Sequence, residues 1–135
     1  MRKRKLLFIK NDADNGYALS YVMSIFKRKG WKIKCVNSGE QVFDVLSKNF
    51  FAAIFIDVSL CVMDSLWLCQ WIKRFNKDSS MIAICTPHQK PSRYRAGGFD
   101  EVLQKPFDMG EVIEIVDRSF EKHLDPDDSF FVAKY

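Results

Sequence analysis

No apolar run in these 135 residues is long enough for a membrane. The longest, Phe50 to Ile56, stops at Asp57, whereas a spanning helix needs roughly 20 apolar residues. A secretory leader is missing too, because Arg2-Lys-Arg-Lys5 is followed only by Leu6 to Ile9 before Lys10; export is not expected, and a cytoplasmic protein is. Cysteine is scarce, at positions 35, 61, 69 and 85 with no CxxC pair, and there are two histidines, His88 and His123. That excludes an ordinary structural zinc site and favours reduced thiols. The basic excess is small, a net charge of +4 concentrated in Arg2–Lys5 and Lys27–Lys29. A nucleic-acid binder carries a denser basic stripe interleaved with aromatics, so these runs read as solvated faces. Internal repeats, low-complexity tracts and internal linkers are all lacking, and the length supports one core rather than two. One domain is expected over residues 1–122, with 123–135 as a C-terminal tail or the start of a linker; Pro126 interrupts it before Phe130-Phe-Val132.

What the sequence does contain is an alternation of short apolar runs with amphipathic stretches. Leu6–Ile9, Trp31–Val36, Phe51–Ile56, Met81–Cys85 and Val102–Leu103 read as strands. Asp14 or Asn15 can cap a first helix with Leu19, Val22, Ile25 and Phe26 on one face, and Gly30 stops it. Ser38-Gly-Glu-Gln41 is a capping box opening a second helix with Val42, Phe43, Val45 and Leu46. A third helix is expected from about Ser65 to Phe75, a weak one within His88–Gly98, and a last one capped by Asp108 with Val112, Ile113, Val116 and Phe120 inward.

This (βα)5 order calls for a parallel sheet with helices on both faces, because parallel strands need long right-handed crossovers. Sites in such sheets form beyond the carboxyl ends of the strands. The residues there are Lys10, Asn11 and Asp12, then Asp57, Thr86 and Lys105. A carboxylate, a hydroxyl and an ammonium at separate strand ends are expected to converge.

These residues resemble the receiver domain of bacterial two-component response regulators. Ile54 to Ser65, with Asp57 and Asp64, is similar to the family's phosphoacceptor strand and loop; Ile84-Cys-Thr86 resembles the strand ending in the switch hydroxyl; Gln104-Lys105-Pro106-Phe107 matches the Lys-Pro-Phe signature. The resemblance spans roughly residues 5 to 122. It implies a flavodoxin-like α/β three-layer sandwich with strand order 2-1-3-4-5, and a signalling module rather than an enzyme. Asp57 would then be the phosphoacceptor, Thr86 the switch hydroxyl, and Lys105 the cation that pairs with the carboxylate and then with phosphate. Asp57 and the Ser59 backbone carbonyl would ligate Mg²⁺. A Lys105–Pro106 cis bond is expected with the signature.

The sequence also departs from the family. Two acidic residues usually end the first strand and hold the metal. Here those positions fall on Lys10 and Asn11, or, with a shift of one that puts Lys10 inside the strand, on Asn11 and Asp12. At least one carboxylate is missing in either register, so Mg²⁺ binding should be weak or absent. The aromatic switch position is Val102, and Thr86 and Lys105 lie closer together than is usual, which shortens the fourth helix. Two functions therefore stand side by side. One is a phosphorelay receiver that accepts phosphate on Asp57 from a histidine kinase or phosphotransfer protein. The other is a pseudo-receiver that binds partners without phosphorylation.

Trp67 and Trp71, one helical turn apart, replace residues that are normally polar in receivers. They are read either as an extended core edge or as a partner surface, for a downstream protein or a homodimer. Cys61 and Cys85 flank the expected site and are better read as small buried hydrophobes than as redox groups.

Overall fold

The computed structural model describes residues 4–10, 17–58 and 64–122, apart from the side chains of 17–19 and 122. Within it the five expected strands form one parallel sheet in the order β2-β1-β3-β4-β5. They are β1 (Lys5–Ile9), β2 (Lys32–Val36), β3 (Ala53–Asp57), β4 (Ser80–Cys85) and β5 (Glu101–Gln104). Every residue of β3 and β4 is buried, as central strands covered on both faces must be, whereas the edge strand β2 is largely exposed and β5 is mostly half-buried.

Strand alternation sorts the apolar residues into two cores. Leu7, Ile9, Ile54, Ile56, Met81, Ala83 and Cys85 lie beneath α2 (Gly39–Lys48), α3 (Ser65–Phe75) and α4 (Pro91–Ala96). Leu6, Phe8, Ala53, Phe55, Ile82, Ile84 and Leu103 lie beneath α1 (Tyr17–Arg28) and α5 (Met109–Lys122). Phe8 and Phe55 stack at the centre of the second core, ring centroids 4.6 Å apart.

Local chemistry sets the element ends. Ser38 Oγ accepts the Gln41 N–H, and Gln41 Oε1 in return accepts the N–H of Asn37, so the capping box closes one residue further out than its simplest form. Asp64 Oδ1 caps α3 through the N–H groups of Leu66 and Trp67, and Asp108 Oδ1 caps α5 through that of Glu111. Gly30, at φ 91°, ends α1 in a conformation that a side chain would oppose. The helix between Thr86 and Lys105 is only six residues long, the shortening expected from the spacing.

The starts of two expected strands need correction, and β3 begins at Ala53 rather than Phe51. Strand β2 begins at Lys32, not Trp31, whose buried ring closes the α1 side against Phe26 and Phe120. Phe43 does not face inward: it is 59% exposed, because Val42 and Val45 already fill the inner face of α2. The capping candidates Asp14 and Asn15, and the tail from His123, lie outside the described residues.

Cys69 of α3 is fully buried, and burial pushes its thiol up from 9.0 to about 11, opposed by Lys73 and assisted by Asp100. The unfolded chain therefore loses this proton first. Its contribution to stability is complete below pH 9.0 and declines as pH rises towards about 11. Chemical unfolding of Cys69→Ala measured across that window should show a shallower alkaline loss than the parent protein. Equal slopes would mean that the thiol ionises as freely when folded as when unfolded.

Candidate functional site

Strand β3 delivers Asp57 to the carboxyl edge of the sheet as its last residue, on the same face as Phe55, and its carboxylate is completely buried. The adjoining backbone is fixed by the Val58 N–H donating to the Ile84 carbonyl at 2.9 Å. Lys105 follows β5 on the face that carries Leu103, anchored by its N–H to the Cys85 carbonyl at 2.8 Å. Its ammonium reaches Asp57 Oδ2 at 2.8 Å and remains about one-third exposed. The peptide bond between Lys105 and Pro106 is cis, as expected.

A carboxylate taken wholly out of water needs such a partner, because an isolated buried charge costs far more than a paired one. The arrangement therefore sets a buried carboxyl oxygen beside a solvent-facing cation at the carboxyl edge of the sheet.

Thr86 follows Cys85, which pairs in register with Gln104, so Thr86 stands level with Lys105. Its hydroxyl, however, is engaged within its own turn. The Thr86 N–H and hydroxyl both donate to Gln89 Oε1, at 2.9 and 3.4 Å, and the Gln89 N–H returns to the Thr86 carbonyl at 3.1 Å. Gln89 is a site neighbour that the sequence reading missed. Its signal is a polar side chain three residues after Thr86, the spacing at which such side chains close a turn.

Lys10 lies immediately after β1, its N–H donating to the Val36 carbonyl at 3.0 Å. Ile9 pairs with Ile56, so the next position on each strand brings Lys10 level with Asp57. The ion pairs among the described residues join Asp57 to Lys105 and not to Lys10. The Lys10 charge is felt instead at the Cys35 thiol of β2, which burial pushes up while Lys10, Lys27 and Lys34 pull it down. Asn11, Asp12, Ser59 and Cys61 lie outside the described residues. Val102 is half-buried against the α2–α4 core.

Cys85 is fully buried at the end of β4, and burial, reinforced by the Asp57 charge, raises its pKa. It is a protonated packing residue, not a reactive thiolate. The two tryptophans separate: Trp71 packs against the core while Trp67 is 55% exposed. The core-edge reading fits Trp71, and Trp67 is left open to solvent.

The family model of the response regulator receiver domain matches residues 13–117. The chain belongs to this family. Receiver domains are generally non-enzymatic signalling modules that interact with histidine kinases or partner proteins and typically bind Mg²⁺. Among curated proteins the receiver is 26% identical over 122 residues to the transcriptional regulatory protein CrdR of Helicobacter pylori, spanning 87% of this chain and 55% of that one. It thus covers only about half the length of that relative. Its fold is similar to a response regulator from Chloroflexus aurantiacus, at 20% identity and a TM-score of 0.75 over 87% of this chain and 98% of the other. It is also similar to the receiver domain of a sensor histidine kinase from Pseudomonas aeruginosa, a structure with magnesium coordinated in its active-site cleft, at 20% identity and a TM-score of 0.70 over 87% and 97%. No helix among the described residues is long and apolar enough to cross a membrane.

The pair at the centre of this receiver can be tested by its coupling. Lys105→Met should lower the unfolding free energy by about 2 kcal/mol, because it leaves a buried carboxylate without its cation. Adding Asp57→Asn should recover much of that loss, giving a coupling of about 1 kcal/mol or more in a double-mutant cycle. Strictly additive effects in urea unfolding would show that the two groups do not interact in solution.

Proposed function

We propose that the domain is a phosphoacceptor receiver working with a weakened Mg²⁺ site. The supporting observation is the fully buried Asp57 carboxylate held 2.8 Å from the Lys105 ammonium at the carboxyl edge of the sheet. An Asp57 oxygen attacks the phosphorus of a kinase or phosphotransfer-protein phosphohistidine. The phosphorus–nitrogen bond breaks, the electron pair returns to the imidazole, which takes up a proton from water, and an aspartyl phosphate remains. Lys105 shifts from the carboxylate to the phosphoryl oxygens, offsetting their charge. Thr86 leaves Gln89 to donate its hydroxyl to the phosphate, and the movement of its turn is the signal to a downstream partner. CrdR is a transcriptional regulator, and output of that kind through a further domain or protein fits this reading.

The metal supplies charge neutralisation for the transferring phosphoryl group when bound. Asp57 and the Ser59 carbonyl, with Asp12 as the remaining acidic candidate, would hold it. The donor set suits it poorly. Mg²⁺ prefers carboxylates and water in an octahedral shell, and the position level with Asp57, next after β1, carries the ammonium-bearing Lys10. That substitution is also what favours the second reading, a pseudo-receiver acting in the cytoplasm through protein contacts alone.

Intact mass after incubation with acetyl phosphate and Mg²⁺ separates the two. The expected result is slow addition of one phosphoryl group, lost in Asp57→Asn. Lys10→Asp with Asn11→Asp should bind Mg²⁺ more tightly and label about tenfold faster or more. No labelling of either protein favours the pseudo-receiver. Ready labelling of the parent at sub-millimolar Mg²⁺ would make Asp12 the working ligand and overturn the weakened site.

A further inference from the structure

Gln89 holds Thr86 by more than the turn between them requires. The Gln89 N–H donates to the Thr86 carbonyl at 3.1 Å, closing a four-residue turn with Pro87 at its second position, where a fixed φ suits it. That bond completes the backbone turn. The Gln89 side chain nevertheless folds back, and its Oε1 accepts both the Thr86 N–H at 2.9 Å and the Thr86 hydroxyl at 3.4 Å. Both residues are half-buried, so losing that oxygen leaves an N–H partly shut away from water. The two bonds are unequal. The N–H bond has ordinary length, whereas the hydroxyl bond is longer than a strong O–H···O contact. Gln89 therefore fixes the backbone of residue 86 firmly and its hydroxyl loosely.

The direction of this tie matters. Asp57 pairs in register with Ile84, and strand alternation puts residue 86 on the face of Ile84, the face that also carries Asp57 and Lys105. Gln89 leads the other way. It immediately precedes Lys90, the N-cap of α4, and the buried Tyr94 of that helix belongs to the opposite core. The side-chain oxygen of Gln89 thus tethers a residue of the site's face to the start of a helix on the other side of the sheet. Pro87 has no N–H, so the two donors of Thr86 are the first that the chain offers beyond β4, and Gln89 takes both.

We propose that Gln89 is a positioning residue, a latch that holds Thr86 towards α4 and has to let go before the Thr86 hydroxyl reaches a phosphoryl group on Asp57. This rests on the phosphoacceptor reading and adds a restraint to it. Only molecules with the latch open are competent for the switch, so the latch lowers the apparent rate of labelling by the fraction that is open. Its release also frees the residue next to the Lys90 N-cap, which has no side-chain hydrogen bond of its own. Helix α4 is therefore the first element to feel the switch.

Amide hydrogen exchange and acetyl phosphate labelling of the full chain test the latch together. Gln89→Met keeps the length of the side chain and removes its oxygen. It should speed exchange of the Thr86 amide in the unphosphorylated protein about fivefold, and labelling of Asp57 at a fixed Mg²⁺ concentration by a similar factor, the ~1 kcal/mol of one hydrogen bond. Gln89→Glu retains an acceptor oxygen and should return both rates to the parent values or below. Thr86→Val with Gln89→Met should label no faster than Thr86→Val alone, because the gain passes through the hydroxyl. The latch is overturned by Thr86 exchange that Gln89→Met leaves unchanged, by unchanged labelling in a parent that does label, or by a gain that survives Thr86→Val. If neither the parent nor Gln89→Met labels, the phosphoacceptor reading fails, and Thr86 exchange alone decides whether Gln89 holds the turn.

Discussion

The contact between Lys105 and Asp57 joins strands that are not neighbours, and much of the architecture at this end of the molecule is arranged to permit it. β4 lies between β3 and β5, and adjacent strands are about 4.8 Å apart, so the lysine stem has to pass over the end of an intervening strand. It can do so because β4 stops at Cys85, a small side chain turned into the opposite core, and because the chain then folds away into the turn closed by Gln89. The register that makes Thr86 level with Lys105 and Asp57 level with Ile84 is therefore a condition of the ion pair. Slipping β4 by one residue would reverse its faces and turn Cys85 out of the opposite core.

The parallel sheet was legible because the sequence carries two periods that agree, whereas its strand order came only with the family resemblance. Fully apolar runs such as Phe51–Ile56 can belong only to strands covered on both sides, and each is followed by a capped amphipathic stretch. The convergence of Asp57 and Lys105 was legible for the same reason, since strand ends on one edge of a parallel sheet have few places to go. Phe43 was not, because a helical wheel cannot tell which of two adjacent apolar positions wins the inner face when Val42 and Val45 suffice to fill it. The separation of Trp67 from Trp71 was likewise invisible, since it depends on how α2 lies against α3. Gln89 escaped because a side chain closing its own turn leaves no periodic trace. The position of Lys10 was legible from its place after β1, but its influence on Cys35 was not, because that depends on the alignment of β1 with β2.

The residues after the first strand and those at the ends of the third and fifth strands are held by different physical constraints. The carboxylate–ammonium pair is the part of the site that folding itself needs, since a buried Asp57 without a cation destabilises the domain. Metal ligands are under no such requirement: an ammonium or amide at the rim of the site costs the fold little. A buried Asp57–Lys105 pair can therefore stand beside a first strand that is followed by lysine and asparagine, as it does here.

Strand β2 bears on how such a molecule behaves when crowded. It is the outermost strand beyond β1, and its free edge could in principle recruit another strand in endless succession. Its sequence, Lys-Ile-Lys-Cys-Val, places exposed lysines at positions 32 and 34, flanked by further exposed basic residues at 27–29. Two such edges brought together would set like charges against one another at every second residue. Fibre growth through the sheet at this edge is thereby discouraged.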